Sequence, residues 1–222
     1  MIDSHAHVAF NEFEIDRADV IARLQPAGVH GWVEVGTDLE QSRKAVALAK
    51  QYANCWATVG VHPDDVEELD EAAWQELAQL ATRQKVVAIG EVGFDFFREV
   101  KQAIQEPVLR RFVELAQQME KPVVFHVRDG KESAHDALLE FLHGPVLAKT
   151  LAGKLRGVIH TFSGTVEQAK QYLELGMYLS FSGVLTFPKK AEVIQEVARA
   201  APLDQILIET DCPYLTPPAE GK

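Results

Sequence analysis

Apolar residues in this chain fall into short runs, separated by longer stretches in which they recur every third or fourth position. The runs cover residues 1–2, leading into a His-rich turn, then 29–35, 56–61, 86–91, 123–127, 158–160, 177–181 and 205–208. They are rich in branched side chains, which suits strands buried on both faces. Helical spacing marks the stretches between them, at 16–24, 40–52, 72–83, 105–119, 133–142, 166–175 and 190–200. In the second of these, Ala45, Leu48, Ala49 and Tyr52 share one face. Breakers sit where the helices should stop: Pro26 and Gly28 after the first, Gly176 after the sixth, Pro202 after the seventh.

Strand and helix alternating in this way predict a parallel sheet with helical crossovers. Eight strands favour an α/β fold closed as a (β/α)8 barrel of the TIM type, one domain over 1–222. No glycine-rich phosphate loop follows the first strand, which argues against a dinucleotide-binding sheet. After the last strand only 210–222 remain, with Pro213, Pro217 and Pro218 and no helical pattern. Such barrels run to about 250 residues, so the eighth helix is expected to be missing from the C-terminal end. The segment 143–154 is a long connection before the sixth strand, with no assigned role.

The formal net charge of −11 excludes a broad basic surface for wrapping duplex nucleic acid. It leaves nucleic acid open as a substrate, because bound divalent cations would offset charge where a phosphodiester must land. No apolar stretch is long enough to span a bilayer, so no membrane partner is expected, and no secretory signal precedes the first strand. Cys55 and Cys212 lack zinc-type spacing and read as reduced thiols of a cytoplasmic protein. A monomer is the working expectation.

A parallel barrel gathers its strand ends into one mouth, and several strands here end on metal-binding or proton-moving residues. His5 and His7 stand two apart on the first strand and should face the same side. Glu91 closes the apolar run before Val92-Gly93, where an unpaired carboxylate would be costly. Two cations would relieve that cost, with one oxygen for each; a buried arginine would be the structural alternative. His126 and His160 end the fifth and sixth strands in the same relative place. Asp211 follows the eighth and, besides ligating, could take a proton from an attacking water. Glu209, on the same side by alternation, is expected deeper and hydrogen-bonded structurally. His62, in Gly60-Val61-His62-Pro63, is a candidate phosphate contact or acid, or else a turn histidine held by Pro63. Asp95 reads as a supporting partner, a substrate contact or a helix N-cap, and Arg128 as a phosphate contact. Ser163 reads as an ordinary N-cap ahead of the alternative, in which Ser163 and Gly164 open the next helix and offer backbone N–H groups to a phosphate. His30, His135 and His143 receive no chemistry, Trp32, Trp56 and Trp74 are packing residues rather than base platforms, and the acidic run 64–71 is a solvated loop.

The chain resembles the TatD family of metal-dependent deoxyribonucleases, a branch of the amidohydrolase-like barrels. The resemblance is carried by Ile2-Asp3-Ser4-His5-Ala6-His7, Gly60-Val61-His62-Pro63 and Ile89-Gly90-Glu91-Val92-Gly93-Phe94-Asp95. It continues in Val124-Phe125-His126-Val127-Arg128-Asp129, in His160-Thr161-Phe162-Ser163-Gly164, in Phe181-Ser182-Gly183-Val184, and in Glu209-Thr210-Asp211-Cys212-Pro213-Tyr214. It implies one metal held by His5, His7 and Asp211, a second by His126 and His160, Glu91 bridging them, and His62 near the substrate phosphate. Departures are Val127 for a usual serine, Thr161 for a frequent cysteine, and Phe94-Asp95-Phe96-Phe97 for Leu-Asp-Tyr-Tyr. They spare the ligands and bear on specificity. The family's chains also continue past the equivalent of Gly221-Lys222.

The expectation is a hydrolase that cleaves DNA phosphodiesters at strand ends or in single strands, exonuclease fashion, with hydroxide activated by two divalent metals. Asp211, Glu91 and His62 would be its catalytic residues, and His62, Arg128 and Asp95 its substrate contacts. Zn, Mg, Mn, Ni and Fe all suit mixed imidazole and carboxylate ligands. The alternatives are a metal hydrolase of an ester or amide, such as an aminoacyl-tRNA deacylase or lactonase, and a non-catalytic scaffold.

Overall fold

The structure is a computed structural model and describes residues 1–98, 101–144, 155–188 and 191–218. Eight strands pair in parallel and in sequence order. They are β1 (Ile2–Ala6), β2 (Gly31–Glu34), β3 (Cys55–Val59), β4 (Val86–Asp95), β5 (Val123–Arg128), β6 (Gly157–Ile159), β7 (Tyr178–Phe181) and β8 (Ile206–Ile208). The helices between them are α1 (Arg17–Leu24), α2 (Leu39–Gln51), α3 (Glu71–Ala81), α4 (Gln102–Gln118), α5 (Ala134–His143), α6 (Val166–Glu174) and α7 (Ala191–Ala200). The expected elements are all present, within three residues at their helix starts. Most of the long connection before β6, at 145–154, lies outside the described residues, as does position 190, where the last helix was expected to begin.

The ring closes between β8 and β1. Asp211 donates its N–H to the His5 carbonyl at 2.9 Å, and His7 donates to Cys212 at 2.9 Å. The Ser4 hydroxyl donates to the Ile208 carbonyl at 3.0 Å. Residues 209–218 follow β8 without a helix, and Ile2 and Ile208 are about half exposed on the outer face.

The strands bury Ala57, Val59, Ile89, Phe125, Ile159 and Leu179 completely, and the helices contribute Leu77, Phe112, Leu138 and Tyr172. Several helices start on side-chain caps: Asp38 accepts from Gln41 N, and Asp70 from Ala73 N, each at 2.7 Å. Such a cap satisfies one of the first-turn N–H groups that has no carbonyl partner within the helix.

Two local expectations are corrected. β4 does not stop at Glu91 but runs on to Asp95. Its register against β5 slips between Ile89 and Val92, and Gly90 and Gly93 adopt φ of 147° and 154°. A Cβ on Gly93 would fall 1.9 Å from the His126 carbonyl oxygen, so the close approach of β4 to β5 requires glycine there. Ser163 is not the cap of α6. Thr165 holds that place, in a capping box with Gln168, which leaves Ser163 exposed at the mouth.

Candidate metal centre

The first strand is fixed from both sides. Asp3 accepts from the Thr210 N–H at 3.0 Å, from its hydroxyl at 2.6 Å, and from His5 N at 3.2 Å. Glu34, fully buried at the end of β2, accepts from Ala9 N, Val8 N and the Trp32 indole. Burial pushes the Glu34 carboxyl up to about 7, against the pull of those donors. His7 Nδ1 lies 3.1 Å from the Val35 carbonyl, which fixes the proton on Nδ1 and leaves the Nε2 lone pair pointing into the mouth.

Four ligand-type atoms then meet. His5 Nε2 is 3.1 Å from His7 Nε2, 3.2 Å from Glu91 Oε2 and 3.6 Å from Asp211 Oδ1. His7 Nε2 is 3.8 Å from the same Glu91 oxygen and 3.4 Å from Asp211 Oδ1. A tetrahedral site with bonds of about 2.0–2.1 Å has ligand-to-ligand edges of about 3.3 Å, so this cluster has the dimensions of a metal cage.

The other Glu91 oxygen, Oε1, serves a second cluster. It lies 2.6 Å from His126 Nδ1 and 2.9 Å from His160 Nε2, and those two nitrogens are 3.3 Å apart. His62 Nε2 stands at the open side, 3.3 Å from His126 Nδ1 and 3.9 Å from Glu91 Oε1. His5 and His160 stack at 3.9 Å between their ring centres, locking the two clusters side by side. The donor set and its spacing fit two divalent cations.

The electrostatics point the same way. Burial pushes His160 down, but Glu91 and Glu209 outweigh it and hold it well above its ordinary value. His7 and His126 are likewise raised, because their neighbouring carboxylates outweigh burial. Burial opposes charge on Glu91 too, yet the surrounding imidazoles hold it well below the usual range. The site stabilises positive charge among carboxylates, the field that a bound cation requires.

Behind the imidazoles stand further carboxylates. Asp95 Oδ2 lies 3.1 Å from His126 Nε2, while its Oδ1 accepts from the N–H groups of Phe97 and Arg98. Of its three expected roles, supporting partner, substrate contact and helix N-cap, the geometry matches the first: the buried side chain is engaged with His126 and its own loop, and Lys101 occupies the N-cap of α4. Glu209 lies deep, as expected. It accepts from the Thr161 N–H and hydroxyl, each at 2.6 Å, and from the Ser180 hydroxyl at 2.5 Å. Its Oε1 comes within 3.4 Å of His160 Nδ1. Burial opposes ionisation of Glu209, but His160 and its hydroxyl donors bring it down to about 2.

His62 is half-buried, and its Nδ1 accepts the Asp64 N–H at 3.2 Å. Burial, reinforced by His126, pushes it down to about 3. It is therefore a neutral imidazole with Nε2–H turned toward the clusters, a hydrogen-bond donor rather than a balancing charge. Arg128 is exposed at the rim of a mouth of about 580 Å³, where its guanidinium lies 4.0 Å from the Phe97 ring centre. Sequence reasoning missed several other residues there. Phe10, Thr37, Arg98 and Tyr214 carry no strand-end signal, and Asp64 sat in a run expected to be solvated. His135 was also passed over. It is fully buried, 3.3 Å from the Tyr172 hydroxyl and 3.5 Å from that of Ser163.

The sequence model of the family described as TatD related DNase matches residues 2–222. A protein of Cronobacter turicensis named 3'-5' ssDNA/RNA exonuclease TatD is 38% identical over 218 residues, 98% of this chain and 80% of that one. The uncharacterized metal-dependent hydrolase YabD of Bacillus subtilis is 34% identical over 224 residues, 100% of this chain and 84% of its own. The crystal structure of YjjV, a TatD homolog from Escherichia coli K12, superposes with a TM-score of 0.88 at 30% identity, covering 100% of this chain and 83% of that one.

Proposed function

This chain belongs to the TatD related DNase family of metal-dependent hydrolases acting on ester bonds, and from that premise we propose a 3'-5' exonuclease of single-stranded nucleic acid that works with two divalent metals. The reading of single strands and of direction follows the names of the relatives. The observation that carries the two-metal reading is the division of Glu91, with Oε2 in one cluster of ligand atoms and Oε1 in the other.

In this reading His5, His7, Asp211 and Glu91 would hold one metal, and His126, His160 and Glu91 the other. When bound, the metals would acidify water and offset the charge of the phosphodiester. Asp211 is placed to accept the proton of the attacking water. His62, held in its Nε2–H form by the Asp64 amide, donates a hydrogen bond to a phosphate oxygen. Arg128 supplies charge at the rim. Asp95 and Glu209 act through His126 and His160, orienting the rings rather than touching substrate. No helix among the described residues is long and apolar enough to cross a membrane. With Cys55 and Cys212 both free, we place the protein in the cytoplasm.

The test is elemental analysis after dialysis against several divalent metals, paired with cleavage of end-labelled single-stranded DNA, for the native chain and Glu91→Gln. Two metals per chain, metal-dependent trimming from the 3' end, and near-complete loss in Glu91→Gln are expected. One metal per chain with full activity would end the two-metal reading. Two metals without cleavage would end the nuclease reading.

A further inference from the structure

The mouth has two unlike walls. Where β1 and β8 meet, Phe10 stacks on His7 with ring centres 4.4 Å apart, and Tyr214 stands 6.3 Å from Phe10 and 6.5 Å from His7. Tyr214 is held by its N–H bond to the Asp211 carbonyl at 2.9 Å, and half of its surface is exposed. A half-exposed aromatic ring beside a polar centre is not there to fill a core. Four strands away around the ring, at β4 and β5, the wall carries two guanidiniums among the carboxylates of Asp64, Asp65 and Asp95. Arg128 lies on the face of Phe97, itself 64% exposed, and Arg98 pairs with Asp64 at 3.3 Å.

An aromatic face and a braced guanidinium on opposite rims match the two parts of a nucleotide strand, the flat base and the charged backbone. We propose that Tyr214, backed by Phe10, is a stacking platform for the terminal nucleobase of a single strand, while Arg128, braced on Phe97, holds a backbone phosphate on the far side. The strand thus enters in one orientation, with its end at the β8–β1 seam. Stacking on tyrosine tolerates any base, since every base has a π-face. It selects a strand end over an internal position, because a base inside a stack has both faces covered. The tryptophans do not compete for this role, since none lines the mouth: Trp32 is buried, Trp56 lies under Lys85 at 5.8 Å, and Trp74 is covered by Arg111 at 4.1 Å.

This inference rests on the nuclease reading, and two assays separate the failure of one from that of the other. In the first, the metal-loaded enzyme binds an oligothymidylate that ends in 2-aminopurine, with a terminal phosphorothioate linkage to prevent cleavage. Fluorescence quenching on binding is expected for the native chain and Tyr214→Phe, and its loss for Tyr214→Leu. In the second, kcat/KM is compared for strands ending in a normal nucleotide and in an abasic one. Tyr214→Leu should lower the ratio of the two by about 10-fold, from the stacking free energy of one base, and Tyr214→Phe should keep it. Arg128→Gln should depress both substrates alike and flatten the dependence on salt by about one phosphate contact.

Quenching that persists in Tyr214→Leu, or an unchanged ratio, overturns the platform. A ratio that moves with Arg128→Gln overturns the division between the walls. Should the native chain cleave neither strand, the nuclease reading falls while the quenching still decides whether Tyr214 stacks a base.

Discussion

Replacing Asp95 by asparagine keeps the shape of the side chain and removes its charge, and the hydrogen bonds around it determine the effect. One Asp95 oxygen faces His126 Nε2 at 3.1 Å, and the other accepts two backbone N–H groups, at 2.8 and 3.2 Å from Phe97 and Arg98. Burial pushes Asp95 up, but His126 and these donors hold it below its ordinary value. The carboxylate is therefore an ionised acceptor on both sides. An asparagine amide can accept on only one. If its oxygen stays with the backbone donors, its NH2 group meets His126 Nε2. The ring must then move its proton to Nδ1, which lies 2.6 Å from Glu91 and is the nitrogen turned toward the second cluster. If the amide turns the other way, two buried N–H groups lose their partner. A hydrogen bond to a charged group is worth about 1.5–3 kcal/mol, which agrees with the 10- to 100-fold loss of metal affinity typical when such a supporting carboxylate is removed. Competition against a chromophoric chelator, read for each of the two sites, is the assay. Asp95→Asn should weaken one site by about 10- to 100-fold and leave the other within about twofold. Equal affinities in the variant and the native chain would refute the tautomer argument. Loss of both sites in a folded protein would refute the assignment of His126 to one cluster alone.

Other parts of the barrel carry further expected outcomes. Gly93→Ala places a methyl group against the His126 carbonyl at a φ that alanine avoids; a loss of about 3 kcal/mol is expected in urea unfolding, and a loss under about 1 kcal/mol would contradict the close approach of β4 and β5. Burial pushes His135 down from 6.5 to about 4. As pH falls from 7 to 5 the unfolded chain therefore gains a proton that the folded chain refuses, and stability is lost, reaching about 3 kcal/mol near pH 4. Urea midpoints at pH 7 and 5 should show a smaller drop for His135→Gln than for the native chain, and equal drops would remove His135 as the cause. Glu209→Gln should weaken the second cluster by disturbing His160, seen as reduced retention of one metal on dialysis; retention of both would limit Glu209 to its bonds with Thr161 and Ser180.

The barrel was readable because its signal is repeated. Eight branched apolar runs and seven helical patterns agree with one another, so an error at any one boundary does not alter the topology. The ligand-type residues were readable for a related reason. A parallel barrel converts the end of a strand into a place in the mouth, and His5, His126, His160 and Asp211 stand at or just beyond such ends. Glu91 was found by the wrong geometry. It lies inside a ten-residue strand and reaches the mouth through the register slip between Ile89 and Val92, which apolar periodicity does not record. The rim was the least legible. Tyr214, Phe10 and Arg98 lie on loops, where no period constrains which way a side chain faces. The cap of α6 was misplaced by two residues because serine is by itself the better cap, and only the glutamine at 168, reaching back to Thr165, selects the threonine. His135 was passed over because it begins a helix rather than ending a strand.

The seam between β1 and β8 has a consequence for the order in which the molecule becomes competent. His126, His160 and Glu91 come from the middle of the chain, on three neighbouring strands, and that half of the centre can form once β4, β5 and β6 have paired. The other half draws His5 and His7 from the first strand and Asp211 from beyond the last, and the hydrogen bonds that bring them together are also those that shut the ring. A metal bound there would be a rivet between the first strand and the segment that follows the last, and its binding free energy would add to the stability of the closed ring. Hydrogen exchange should show the amides of His7 and Asp211 losing protection on chelation before those of β4 and β5. In the proposed two-metal reading, a chain still emerging from synthesis would carry at most half a centre, and cleavage would wait for the seam to close.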